Sequence, residues 1–193
     1  RQEHLRIHVP NLECFCFGFT RDGKTIYSGW HDGKIRAFLP QSGKLKYCIN
    51  EAHTNGVTAI ASTSDNYKIV SGGMNGEIRV WRITMQSQTM ETSLKEHRAR
   101  VWSIAINSLN DRAISASADG SCIIWDIKAY VRVACMFETT MFKQLVFHPD
   151  ESQILTTGNN RKITYWDAVD GVEIRMIDGS LEGEINTLAM AKS

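Results

Sequence analysis

The chain has 193 residues, enough for one ordinary domain with a sizeable core. Its 22 basic and 21 acidic side chains leave a net charge of +1, which gives no sequence-independent pull towards nucleic acid or anionic lipid. No apolar run reaches the ~18 residues that a membrane-spanning helix needs, so neither nucleic acid nor a membrane is an expected partner.

In chain order the pattern is a ladder of short strands. Leu5–Val9 reads as an outer strand. Cys14–Thr20 alternates apolar and small residues, as a half-buried inner strand does. Thr25–Gly29 is rich in small residues, Lys34–Leu39 carries a branched and aromatic run, and Leu45–Ile49 reads as an edge strand. The series then recurs. Inner strands are predicted at Val57–Ser62, Val101–Asn107, Phe142–His148 and Glu184–Met190. Second strands fall at Lys68–Gly72, Arg112–Ser117 and Gln153–Thr157. Third strands fall at Glu77–Ile83, Ser121–Ile127 and Lys162–Ala168, and outer strands at Thr89–Leu94, Val131–Phe137 and Val172–Ile177. The polar run Thr84–Thr92 reads as a longer loop.

Turn chemistry supports this parse. Asp32-Gly33, Asn75-Gly76 and Asp119-Gly120 separate second from third strands and tolerate the positive φ of a two-residue hairpin. The fourth copy has Asn160-Arg161, where Arg costs more than Gly. The phrase around each turn repeats and ends on Phe38, Trp81, Trp125 and Trp166, spaced 43, 44 and 41 residues apart. That period, with a Trp-Asp ending intact at Trp125-Asp126 and Trp166-Asp167, is the mark of a four-stranded propeller blade. The chain therefore resembles the WD-repeat family over nearly its whole length. The resemblance implies an all-β fold, a WD-repeat β-propeller. Blades fall at about 10–50, 51–95, 96–138 and 139–178, with the start of another at 179–193. Rings of this kind close with about seven blades, so the chain is expected to be an arc of a longer polypeptide.

In that family a buried polar relay links a His before the inner strand, a Ser or Thr in the second strand, an Asp in the hairpin and the Trp indole. By resemblance, His97, Ser115 or Ser117, Asp119 and Trp125 make one set. His53, Ser71, Asn75 and Trp81 make a second, with the same 28-residue His-to-Trp spacing. The fourth blade, anchored by Trp166, and the first have no His there, so their relays are expected to be incomplete. Asp126 and Asp167 are expected to cap local backbone. The logic is satisfaction of buried donors and acceptors, each costing about 1–3 kcal/mol if unmet.

No catalytic or metal-binding constellation is visible. The six histidines (His4, His8, His31, His53, His97 and His148) lack any zinc-ligand spacing. The five cysteines form no CxxC pair and read as free thiols. A propeller hydrolase would need convergent carboxylates on inner strands, and only Glu13 and Glu184 flank one. No enzyme activity, cofactor, metal or small-molecule substrate is expected.

A finer match carries a functional expectation. Ile7-His-Val-Pro-Asn-Leu12, Asp32-Gly-Lys-Ile-Arg-Ala-Phe38, Cys122-Ile-Ile-Trp-Asp126 and Arg161-Lys-Ile-Thr-Tyr-Trp166 closely resemble a family of ciliary and flagellar WD-repeat proteins with two tandem propellers. The stretch resembles most of the second. The resemblance implies a structural brace on the inner wall of axonemal doublet microtubules, bound to tubulin and other microtubule inner proteins. A soluble adaptor, such as a ubiquitin-ligase substrate receptor or signalling hub, is the alternative. Candidate partner-binding residues are His31, Met74 and Asn159 before the hairpin turns, Thr54, Asn55, Arg98 and Arg100 after outer strands, and the aromatics Trp30 and Trp102, since Trp and Arg are enriched at interface hot spots.

Overall fold

The computed structural model describes residue 3 and residues 5–191. Sixteen strands form four antiparallel four-stranded sheets among the described residues, each a simple meander in which sequence order equals spatial order. The first sheet contains β1 (Cys14–Phe19), β2 (Ile26–Trp30), β3 (Ile35–Phe38) and β4 (Leu45–Ile49). The second contains β5 (Val57–Ser62), β6 (Lys68–Gly73), β7 (Ile78–Ile83) and β8 (Gln88–Leu94). The third contains β9 (Val101–Ile106), β10 (Arg112–Ser117), β11 (Ser121–Asp126) and β12 (Val131–Phe137). The fourth contains β13 (Phe142–Phe147), β14 (Gln153–Gly158), β15 (Lys162–Asp167) and β16 (Glu173–Asp178).

The core lies between sheets rather than inside one. Tyr27, Ile35 and Ile49 of the first sheet pack on Val57, Ile69 and Trp81 of the second. Val70, Ile78 and Val80 of the second meet Val101, Ala113 and Trp125 of the third. Ile114, Cys122 and Ile124 of the third meet Phe142, Ile154 and Trp166 of the fourth. Alternate residues of a strand point to opposite faces, so each middle sheet gives one apolar set to each neighbour. Each buried aromatic or branched side chain contributes ~1.5–3 kcal/mol.

The small residues of the second strands have a steric cause. A Cβ on Gly72 would come within 2.6 Å of Val101 Cγ1, so the next inner strand can close on β6 only over a bare backbone. At the hairpin turns Gly33, Gly76 and Gly120 sit at φ of 76°, 84° and 85°, and Arg161 takes the same left-handed conformation at φ 64°.

Two predicted strands are not strands. Residues 5–9 and 184–190 run as irregular chain, because a strand needs a hydrogen-bonded neighbour and neither segment has a partner strand among the described residues. The second is nevertheless tied to the fourth sheet through Thr157 Oγ1 to the Ile185 carbonyl, 2.8 Å. The loop expected over Thr84–Thr92 is shorter. Thr84 and Ser87 close a tight turn, and Gln88 already begins β8.

Every inner strand carries a β-bulge at its second residue. Register is lost between Cys14 and Cys16, Val57 and Ala59, Val101 and Ser103, and Phe142 and Gln144. The residues left out of the ladder are therefore Phe15, Thr58, Trp102 and Lys143. A bulge re-aims the side chain it carries.

Candidate functional site

The polar relay is most fully formed in the third sheet. Trp125 Nε1 donates to Ser115 Oγ at 2.8 Å, and that hydroxyl lies 2.6 Å from His97 Nε2. His97 Nδ1 lies 2.7 Å from Ser121 Oγ, which donates to Asp119 Oδ1 at 2.5 Å. Ser121 thus stands between His97 and Asp119, whose Oδ2 is 3.7 Å from Nδ1. One proton arrangement, assigned from this pattern, satisfies every atom: the Ser115 hydroxyl donates to Nε2 and Nδ1–H donates to Ser121. Burial drives the His97 pKa down to about 4, against the opposing pull of Asp119, so the imidazole is neutral at neutral pH. Ser117 is outside the relay and donates to the Ala99 carbonyl at 3.1 Å.

The second sheet stops one member short. Trp81 Nε1 donates to Ser71 Oγ at 2.9 Å, and His53 Nε2 is 2.9 Å from the same oxygen. His53 Nδ1 meets no acceptor among the described residues, and no hydrogen bond joins it to Asn75. The reason is Glu77, which stands where Ser121 stands in the third sheet. Its carboxylate is held by Arg79, Ser93 and Lys95. Arg79 also donates to the Glu51 and Ala52 carbonyls at 2.9 and 3.0 Å, tying down the loop before the inner strand. Burial, with the Arg79 charge, pushes the His53 pKa to about 4.

The flanking sheets solve the same problem differently. In the fourth, Trp166 Nε1 donates to Thr156 Oγ1 at 2.8 Å. Glu138 occupies the place of the His, 28 residues before the Trp, and accepts from Asn160 Nδ2 at 2.5 Å and Thr164 Oγ1 at 3.3 Å. Burial raises its pKa. The 28-residue spacing could have found Glu138 had a second residue type been allowed there. In the first sheet Phe38 has no N–H to give, and Ser28 accepts instead from Trp30 Nε1 at 2.8 Å. Trp30 is only 6% exposed. It is a buried anchor and not the surface contact expected of it, because the hydroxyl left idle by Phe38 draws in the indole two residues along the same face of β2. The expected caps are present: Asp126 accepts from the Lys128 and Ala129 amides, and Asp167 from the Val169 and Asp170 amides. His4 lies outside the described residues.

The candidate partner-binding residues all map to one end of the sheets, where inner strands begin and second strands turn into third strands. His31, Thr54, Asn55 and Arg98 are exposed and Met74 is half-buried. Asn159 is committed internally, accepting from Thr140 Oγ1 and the Met141 amide at 2.8 Å each. Trp102 and Arg100 are half-buried and stacked on one another. The Arg100 guanidinium lies 3.9 Å from the Trp102 ring centre and 5.2 Å from that of Phe15, and Lys143 lies 4.4 Å from the Trp102 ring. His31 packs edge-on against Phe15 at 5.7 Å. Phe15 and Lys143 have no strong signal in the linear pattern, since the bulges that lift them belong to strand pairing.

Four antiparallel blades, each with an indole or phenyl anchor and a hydroxyl ten residues before it, define the class. The chain belongs to the WD-repeat β-propeller family. The family described as WD domain, G-beta repeat, matches residues 43–82 and 88–126. The sequence is similar to cilia- and flagella-associated protein 52 of Chlamydomonas reinhardtii, at 57% identity over 189 residues covering 98% of this chain and 31% of that protein. The mouse protein of the same name is 50% identical over 186 residues, covering 96% and 30%. The chain thus spans about a third of the length of these curated relatives. The solved structure of U3-55K superposes with a TM-score of 0.82 at 21% identity, covering 93% of this chain and 55% of that one, and bears on the fold alone.

Proposed function

We propose that this chain is a non-catalytic structural element of a motile cilium or flagellum, an arc of a larger propeller that braces axonemal doublet microtubules from within. In this reading it contacts tubulin and neighbouring microtubule inner proteins, resides with the axonemal cytoskeleton, and calls for no cofactor or small-molecule substrate. The observation that carries the reading is that the likeness to cilia- and flagella-associated protein 52 extends over 189 residues, 98% of this chain, at 57% identity. The gathering of His31, Met74, Thr54, Asn55, Arg98, Arg100 and Trp102 at one end of the blades supports a protein-docking role. The mix of Arg and aromatic groups is one that interfaces favour.

Fractionation tests it. The tagged full chain is expected to remain with doublet microtubules after detergent and high-salt washing. Its release into the soluble fraction, as for a cytosolic adaptor, would overturn the reading.

A further inference from the structure

The four inner-strand bulges place Phe15, Thr58, Trp102 and Lys143 at the same end of adjacent strands. Thr58 is internally satisfied, its hydroxyl donating to the Val101 carbonyl at 2.6 Å. The other three, with Arg100, form a row in which aromatic rings and cations alternate: Phe15, Arg100, Trp102, Lys143. Phe15 and Trp102 of the row also line a cleft of about 460 Å³ along the inner strands, with Thr58, Gln144 and Thr187 among its other walls.

The row has more donors than acceptors. Arg100 Nε and Trp102 Nε1 are buried and meet no acceptor among the described residues. Two cations share one indole, and the carboxylate that pairs with either among the described residues is Glu184, 3.9 Å from Lys143. Of the other acids at this end, Asp32 is engaged by Arg36, and Asp119 by Ser121 and the Arg98 amide, while exposed Glu13 forms no side-chain hydrogen bond or ion pair among the described residues. Neither Arg98 nor Arg100 has a carboxylate partner among the described residues. A buried N–H without an acceptor, as at Arg100 Nε, is costly, and the planar guanidinium fork matches a carboxylate.

We propose that Arg100 and Trp102, flanked by Lys143 and Phe15, receive a carboxylate side chain from an acidic segment of a partner protein at the axial end of the inner strands. The proposal rests on the docking reading above and names the chemistry that this surface accepts. The ring faces hold the guanidinium in place, so the fork is pre-oriented before the partner arrives. Arg98, exposed beside it, adds long-range attraction for the same segment.

The test is a fluorescence-anisotropy titration of a labelled hexaglutamate peptide with the full chain. The wild-type chain is expected to bind it and to ignore the hexaglutamine counterpart. Arg100→Gln should weaken binding about tenfold or more. Trp102→Phe, which keeps a ring and removes the N–H, should weaken it less. Lys24→Gln, in the turn at the opposite end, should leave it unchanged. Circular dichroism and thermal midpoints identify a variant that fails to fold. Arg100→Lys, which keeps the charge and removes the fork, then serves in place of Arg100→Gln and should also lose affinity. Absence of wild-type binding, unchanged binding by Arg100→Gln, or displacement of the peptide by inorganic phosphate as readily as by unlabelled hexaglutamate would overturn the proposal. Release from axonemes with peptide binding intact strikes the ciliary reading alone. Loss of peptide binding with axonemal retention intact strikes this site alone.

Discussion

Trp125 and Ser115 are joined by a 2.8 Å hydrogen bond from the indole to a hydroxyl ten residues earlier in the chain. The same offset links Trp81 to Ser71 and Trp166 to Thr156. The cause is hairpin geometry: Ala113 pairs with Trp125 and Ser115 with Ile123, so the hydroxyl lies two residues along the same face and within reach of the ring. The hydroxyl thus does two jobs in the second and third sheets, accepting from the indole and facing a histidine.

Substitution at Ser115 should therefore cost more than the equivalent change in the fourth sheet. Ser115→Ala strands both the Trp125 N–H and His97 Nε2, a loss of about 2–5 kcal/mol in total. Thr156→Val strands only the Trp166 N–H, a loss of about 1–3 kcal/mol. Urea unfolding of the full chain monitored by tryptophan fluorescence checks the order, and equal losses would contradict it.

Acid should destabilise the chain through His53 and His97. Each is held neutral by burial, with a folded pKa of about 4 against 6.5 for the free side chain. Below about pH 6.5 the unfolded state binds protons that the folded state refuses, so stability falls as pH drops from about 6.5 to about 4 and the dependence flattens below that. Each shift corresponds to something on the order of 3 kcal/mol. Unfolding midpoints at pH 7.5, 6 and 5 should decline, and His53→Gln with His97→Gln should reduce the slope across that window even where it lowers stability at pH 7.5.

Gly72→Ala should destabilise by about 1–3 kcal/mol, because the new methyl would sit 2.6 Å from Val101 Cγ1 in the contact between second and third sheets. Pairing it with Val101→Ala, which removes the obstructing methyls, should recover part of the loss in a double-mutant cycle. Strict additivity of the two would count against a steric origin.

Two residues in the left-handed region should respond oppositely to glycine. Arg161 sits at φ 64° with one exposed side-chain bond, to the Leu181 carbonyl. Arg161→Gly should stabilise by up to about 1 kcal/mol. Glu151 sits at φ 60°, but its carboxylate accepts from both the amide and the hydroxyl of Ser108 at 2.8 Å, joining the fourth sheet to the third. Glu151→Gly relieves the same backbone cost and loses that joint, so its thermal midpoint should not rise.

Much of this molecule is legible along the chain because the forces concerned are local. Alternation of side chains across a strand, Asp-Gly and Asn-Gly turns, and the recurrence of an aromatic anchor every 41 to 44 residues depend on neighbours a few positions apart, and they specify strands, hairpins and the blade repeat. The indole–hydroxyl pairs follow too, since one hairpin sets their register. Other features needed the side chains placed in three dimensions, within a blade or between blades. Trp30 became an anchor because Phe38 left Ser28 without a donor. Glu138 took the place of a histidine, and Ser121 entered between His97 and Asp119. The row from Phe15 through Arg100 and Trp102 to Lys143 arises because bulges in separate sheets aim side chains at a shared end. Contacts between sheets depend on how stacked faces meet in space, and linear spacing carries no record of that.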